Sequence, residues 1–159
     1  MTKFSAWLED RTEKIGGIQG LAKALPDHRP QNIAAWITGL QTPGYRAQIQ
    51  LGEALNEPLS MVRMQLDQPY TEFSELLVRK ILKHGDFTAF CTKVGINKSR
   101  LDKWLCEGKM PLDAKNGAHS EDLQMICNAL ILWGDDTPPN ILMAELLLAS
   151  ARSIVAKKK

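Results

Sequence analysis

Apolar residues recur along the chain at intervals of three and four, and alternating β-branched runs do not occur, so helices are expected throughout. Phe4, Trp7, Leu8, Arg11 and Ile15 outline a first amphipathic helix that stops at Gly16-Gly17. Leu21, Ala22 and Leu25 mark a short second helix ended by Pro26. Pro30 suits the first turn of a third, where its missing N–H costs nothing. Ile33, Trp36 and Ile37 give that helix its buried stripe, and Gly39 ends it. Ile49, Leu51, Ala54 and Leu55 predict a fourth helix, and Leu59, Val62 and Met64 a fifth. Asp67-Gln68-Pro69-Tyr70-Thr71 reads as a linker.

After the linker the pattern restarts. Phe73, Leu76, Leu77, Ile81 and Leu82 predict a long helix ending near His84-Gly85, and Phe87, Phe90 and Val94 a short one closed by Gly95. Ser99, Leu101, Trp104 and Leu105 form the next, and Leu123, Ile126, Ala129 and Leu130 another. Trp36 and Pro43 match Trp104 and Pro111 at an offset of 68, as Ile33 matches Leu101. Leu21 and Leu25 match Phe90 and Val94 at 69, which gives the first turn one extra residue. Leu51, Ala54 and Leu55 match Ile126, Ala129 and Leu130 at 75, implying a seven-residue insertion within Leu112 to Ser120. Apolar matches in three successive helices indicate a duplication.

Two short helices joined by a tight turn, the second opening on polar residues, make a DNA-reading helix-turn-helix unit. The second helix lies in the major groove, and its exposed N-terminal side chains meet base edges. In the first unit these are Arg29, Gln31 and Asn32, with Ala35 one turn on. Arg pairs bidentately with guanine, Gln and Asn with adenine, and Ala touches a thymine methyl. The second unit offers Asn97, Lys98, Ser99, Arg100 and Lys103. The amides that open the helix after Gly16-Gly17-Ile18-Gln19-Gly20 suit a phosphate, since helix N-termini favour anions.

The segments Val94-Gly95-Ile96-Asn97-Lys98-Ser99-Arg100-Leu101-Asp102-Lys103-Trp104 and Trp36-Ile37-Thr38-Gly39-Leu40-Gln41-Thr42-Pro43 carry a family likeness. On them the chain resembles the lambda repressor and Cro-like (XRE-type) family of helix-turn-helix domains, over Phe4 to Met64 and, less closely, Phe73 to Leu130. The resemblance implies an all-α protein of two tandem lambda-repressor-like bundles with a C-terminal helix, binding operator-like DNA. It implies base-facing positions at Gln31, Asn32, Ala35, Lys98, Ser99 and Lys103. Phosphate-facing positions then fall at Thr38, Gln41 and Lys109, and Gln19, Arg46 and Arg100 are further candidates for phosphate contact. Domain boundaries are expected at 1–66, 67–72 for the linker, 73–138, and 139–159 for the C-terminal helix and basic tail. Two departures stand out: Pro26-Asp27-His28-Arg29-Pro30 replaces a glycine turn, and the second unit carries one more residue within Trp104-Leu105-Cys106-Glu107-Gly108. Either unit is therefore open to being a degenerate copy kept for packing.

Composition narrows the alternatives. The net charge is only +2, but Arg79 to Lys115 holds nine Lys or Arg against four Asp or Glu, and Arg11 to Arg46 five against two. Basic residues clustered in this way form an electrostatic footprint for nucleic acid. The first residues hold no signal-peptide core and no apolar run spans a bilayer, so a cytoplasmic, nucleoid-associated protein is expected. Cys91, Cys106 and Cys127 read as reduced, mostly buried thiols. His28, His84 and His119 share no ligand spacing with them, so no metal or cofactor is expected. Asp135-Asp136 reads as a solvated turn, and the four tryptophans as core anchors. No constellation supports an enzyme. The open alternative is a helical protein-interaction adaptor or antitoxin-like module on the same scaffold.

After Pro138-Pro139, Ile141, Leu142, Met143, Leu146, Leu147, Leu148 and Ile154 spread around more than one helical face. A surface helix normally keeps one apolar stripe. Either a homodimer covers the second face through Ile141, Leu142, Leu146 and Leu147, or this helix spans both domains.

Overall fold

The computed structural model describes residues 2–109, 111 and 121–157. All regular structure among them is helical, and the chain divides into two compact units, Met1–Gln68 and Pro69–Lys159. The first unit contains α1 (Lys3–Glu13), α2 (Gly17–Ala24), α3 (Pro30–Thr38), α4 (Tyr45–Leu55) and α5 (Leu59–Gln65). The second contains α6 (Glu72–Leu82), α7 (Phe87–Val94), α8 (Lys98–Leu105), α9 (Glu121–Trp133) and α10 (Pro139–Lys157). The insertion expected within Leu112 to Ser120 lies outside the described residues.

Local chemistry sets the helix ends. Thr2 caps α1, its Oγ1 accepting from the Ser5 amide at 3.0 Å. Thr71 and Ser74 form a reciprocal capping box on α6, which satisfies two amides that the helix itself cannot. Asp86 Oδ1 accepts from the Ala89 amide at 2.7 Å to start α7. Pro30 opens α3 as expected.

In the first unit α1 packs on α2, α3 and α5, α2 on α3, and α4 on α5. Phe4, Leu8, Leu21, Ile33, Leu51 and Val62 fill the space between them. The same five pairings recur in the second unit with α6 to α10 in place of α1 to α5. The C-terminal helix is thus the counterpart of α5 and belongs to the second unit rather than standing apart from it. It packs on α6 and α9, with Leu142 and Leu146 fully buried. Ser153 Oγ accepts from the Phe73 amide at 3.1 Å, which ties α10 to the start of α6.

A polar tether closes the other end of the second unit. Lys80 Nζ lies 3.1 Å from Asp135 Oδ2 and 3.3 Å from Glu145 Oε2. Asp135 Oδ1 also accepts from the Thr137 amide at 2.8 Å, bending the chain between α9 and α10. Asp135 is therefore drawn out of the expected solvated turn, its side chain paired and 9% exposed, while Asp136 is exposed. Burial alone would raise the Asp135 pKa, but the Thr137 and Lys80 hydrogen bonds outweigh it and hold the carboxyl below its ordinary range. Burial alone would lower the Lys80 pKa, and the two carboxylates outweigh it in the same way.

Other assignments shift. Only Cys127 is buried; Cys91 is half-buried and Cys106 exposed, because Cys106 falls just past the end of α8. Trp36, Trp104 and Trp133 are core residues, while Trp7 is half-buried. Trp133 donates to the Ile81 carbonyl at 2.8 Å and meets Phe90 edge-on at 5.5 Å.

A depressed carboxyl stabilises the fold above its unfolded pKa, near 4, and that stabilisation disappears as pH falls through the lower folded value. Asp135→Asn should therefore cost the second unit about 1–3 kcal/mol at pH 7 in urea unfolding. The gap between parent and variant should narrow at pH 3. An equal gap at both pH values contradicts the assignment.

Candidate nucleic-acid interface

The candidate surface of the first unit follows from what α3 buries. Ile33 is wholly buried and Trp36 is 5% exposed. At 100° per residue this turns Gln31, Asn32 and Thr38 outward, with Ala35 half-buried at their margin. Arg29, the N-cap residue, is exposed beside them. The five-residue turn Leu25–Arg29 that presents this opening is braced from α4. Gln50 Nε2 donates to Asp27 Oδ2 at 3.0 Å, leaving Gln50 Oε1 to accept from His28 Nε2 at 2.6 Å. The His28 ring stands edge-on to Trp36 at 5.1 Å. The brace does in this unit what a glycine turn does in the other. It pairs residues more than twenty positions apart, so no local sequence signal pointed to it.

In the second unit α7 and α8 are joined by Gly95-Ile96-Asn97. Gly95 has φ +75°, a left-handed conformation that glycine adopts without strain. Ile96 tucks into the core, and Asn97 Oδ1 accepts from the Ser99 amide at 2.8 Å as the cap of α8. Leu101 and Trp104 face inward, 1% and 3% exposed, so Lys98, Ser99, Arg100 and Lys103 face out. Two of these residues carry duties that the sequence did not reveal. Asn97 has committed its carbonyl oxygen to capping, which competes with the bidentate adenine pairing expected of it. Arg100 is ion-paired with Asp122 and lies 6.0 Å from the centre of the Trp104 ring. A phosphate has to draw it away from that partner.

The exits of α3 and α8 correspond closely. The Gln41 amide donates to the Ala35 carbonyl at 3.1 Å, and the Lys109 amide to the Lys103 carbonyl at 3.0 Å. These bonds are related by the same offset of 68, so no net residue is added between Trp104 and Lys109. The α8 helix ends one position early in that register, and the left-handed glycine moves from Gly39 to Gly108 to compensate.

The remaining phosphate candidates scatter around these openings. Gln19 is exposed in the first turn of α2, and Arg46 in the first turn of α4. Gln41 and Lys109 are exposed at the two exits. Thr38 is exposed, but its hydroxyl donates back to the Ala34 carbonyl at 2.9 Å, so it is turned onto its own helix. The two surfaces differ in charge: Arg29 is the one charged residue among the candidate base-readers of α3, whereas α8 displays Lys98, Arg100 and Lys103. Leu40, 82% exposed beside Gln41, was not anticipated. Of the residues expected at a dimer surface, Ile141 is exposed and Leu147 half-buried, while Leu142 and Leu146 face the interior of their own unit.

Among the described residues no group of three His, Cys, Asp or Glu is placed to hold a metal ion, and no helix is long and apolar enough to cross a membrane. No model of a known protein family, no curated protein and no solved structure matches the chain.

Removing the Asn97 cap should cost the second unit about 1 kcal/mol, as N-cap truncations do. Asn97→Ala should lower its melting temperature, and Asn97→Asp, which keeps an acceptor, should largely restore it. A variant Asn97→Ala as stable as the parent would remove the capping role.

Proposed function

We propose that the protein is a sequence-specific double-stranded DNA-binding transcriptional regulator, of repressor type, acting on operator DNA in the cytoplasm. The observation that carries this reading is the opening of α3, where Arg29, Gln31 and Asn32 stand exposed on a helix whose other face is anchored by Ile33 and Trp36. The residues match what base edges require: a guanidinium for guanine and two carboxamides for adenine. The braced turn adds to the case, because base readout needs a helix held in one orientation. In this reading α3 supplies sequence preference, and α8, with its three cations, supplies phosphate attraction. A tandem pair of lambda-repressor-like bundles is the arrangement proposed for the two units.

One observation favours a second reading, a protein-interaction adaptor or antitoxin-like module. Leu40 is a large apolar residue left almost wholly in water beside α3, where a partner protein would cover it.

Gln31→Ala should cost about 1–3 kcal/mol on the preferred duplex and relax preference at one base position. Equal binding by variant and parent would overturn the assignment of α3. Arg46, Lys98, Arg100, Lys103 and Lys109 together predict a log–log salt slope of magnitude about 4 to 5. A slope near 2 would mean that only part of this set meets phosphate. Lys98→Ala with Lys103→Ala identifies which part, since unchanged affinity demotes α8 to a structural role.

A further inference from the structure

The openings of α3 and α8 are held in place by different means. Asn97 caps α8 with its own side chain, whereas Arg29, the N-cap residue of α3, makes no side-chain capping hydrogen bond. Pro30 fixes φ at the first helical position, but not the direction from which the turn Leu25–Arg29 enters the helix. That direction is set from α4. The Gln50 carboxamide grips two consecutive residues of the turn, donating to Asp27 Oδ2 at 3.0 Å and accepting from His28 Nε2 at 2.6 Å. The His28 ring in turn meets Trp36 edge-on at 5.1 Å, so the clamp runs from α4 through the turn into the buried face of α3.

Gln50 does this across a gap. A groove of about 350 Å³ separates the end of α2 from α4, with Ala24, Pro26 and Asp27 on one wall and Gln50 and Glu53 on the other. The Gln50–Asp27 hydrogen bond joins the two walls. The register of the two units sets Met125 at the place of Gln50. The corresponding groove of the second unit is bordered by Met125 and Ile96, whose side chains offer each other no hydrogen bond, and there α9 packs directly on α7. The carboxamide thus belongs to the unit whose reading helix has neither a side-chain cap nor a glycine turn.

We propose that Gln50 is a positioning residue for base readout: without touching DNA itself, it fixes where Arg29 and Gln31 fall against the base edges. This rests on the DNA-binding reading of α3. Arg29 follows His28 directly, so a swing of the turn is passed to Arg29 at once and to Gln31 through the first turn of the helix. Bidentate pairing requires two groups of one side chain to meet two groups of one base, and such geometry tolerates displacements of only about 0.5 Å. Attraction to phosphates makes no comparable demand, because it acts through charge and is independent of sequence. Loss of the Gln50 bridge should therefore reduce sequence preference and leave general affinity for duplex DNA in place.

The test measures, for the full chain, affinity for the duplex that the parent selects divided by affinity for random duplex, a ratio in which changes of net charge cancel. Gln50→Met should lower this ratio about tenfold or more, with random-duplex affinity and helix content kept. Gln50→Glu sets a second carboxylate against Asp27 and should do the same. Asp27→Asn alone keeps an acceptor for Gln50 and should leave the ratio close to the parent's. Combined with Gln50→Glu it exchanges donor and acceptor: the new carboxamide donates to the new carboxylate, whose other oxygen accepts from His28. The double variant should regain the parent's ratio. A Gln50→Met ratio equal to the parent's overturns the proposal, as does a double variant no better than Gln50→Glu alone. One measurement needs no DNA: Gln50 turns its oxygen to His28, so nitrogen NMR of the ring at about pH 8 should find the proton on Nε2. A proton on Nδ1 instead overturns the proposal whatever the DNA result. A parent with the proton on Nε2 but no preference among duplexes removes the DNA-binding reading, and the positioning role with it.

Discussion

The surface proposed to read DNA exists because of what is buried behind it. In each unit the third helix presents an isoleucine or leucine and a tryptophan to the first helix: Ile33 and Trp36 to α1, Leu101 and Trp104 to α6. A helix of eight or nine residues is not stable by itself, so this burial both forms the helix and sets its rotation. Losing such an indole costs about 3–5 kcal/mol, a large share of the stability of a small domain. The outward direction of Gln31 and Asn32, or of Ser99 and Lys103, is a consequence of that packing.

On this common scaffold the two units carry different chemistry. The first opens on carboxamides and one guanidinium, and its turn is braced through Asp27, His28 and Gln50. The second opens on lysines and arginine, turns at Gly95, and restrains Arg100 with Asp122. As proposed DNA readers, two surfaces this different would not read the two arms of a palindromic operator alike.

The helices were legible in the sequence because their periodicity is strong and their ends are written in local residues. Pro30, Gly39 and Gly95 each stand at a boundary the structure reproduces. The outward faces of these helices were legible for the same reason, since once Ile33 and Trp36 are assigned inward, Gln31 and Asn32 have one place to go. What escaped the sequence involves partners distant along the chain. Lys80 meets Asp135 across 55 positions, which drew one carboxylate of an expected solvated turn into an ion pair. Arg100 meets Asp122 across 22 positions, and Gln50 meets Asp27 across 23. In α10 the excess of apolar residues was visible, but not which stripe the core takes. That depends on how α6 and α9 approach it, and it placed Leu142 and Leu146 inside while leaving Leu148 out.

Selection of bound sites from random duplex DNA measures the sequence preference proposed for α3. Enrichment is expected of a defined sequence whose information is concentrated at the few adjacent base pairs that α3 would span, with guanine and adenine contacts suited to Arg29, Gln31 and Asn32. A pool that emerges from successive rounds with no sequence enriched over the starting library would contradict it.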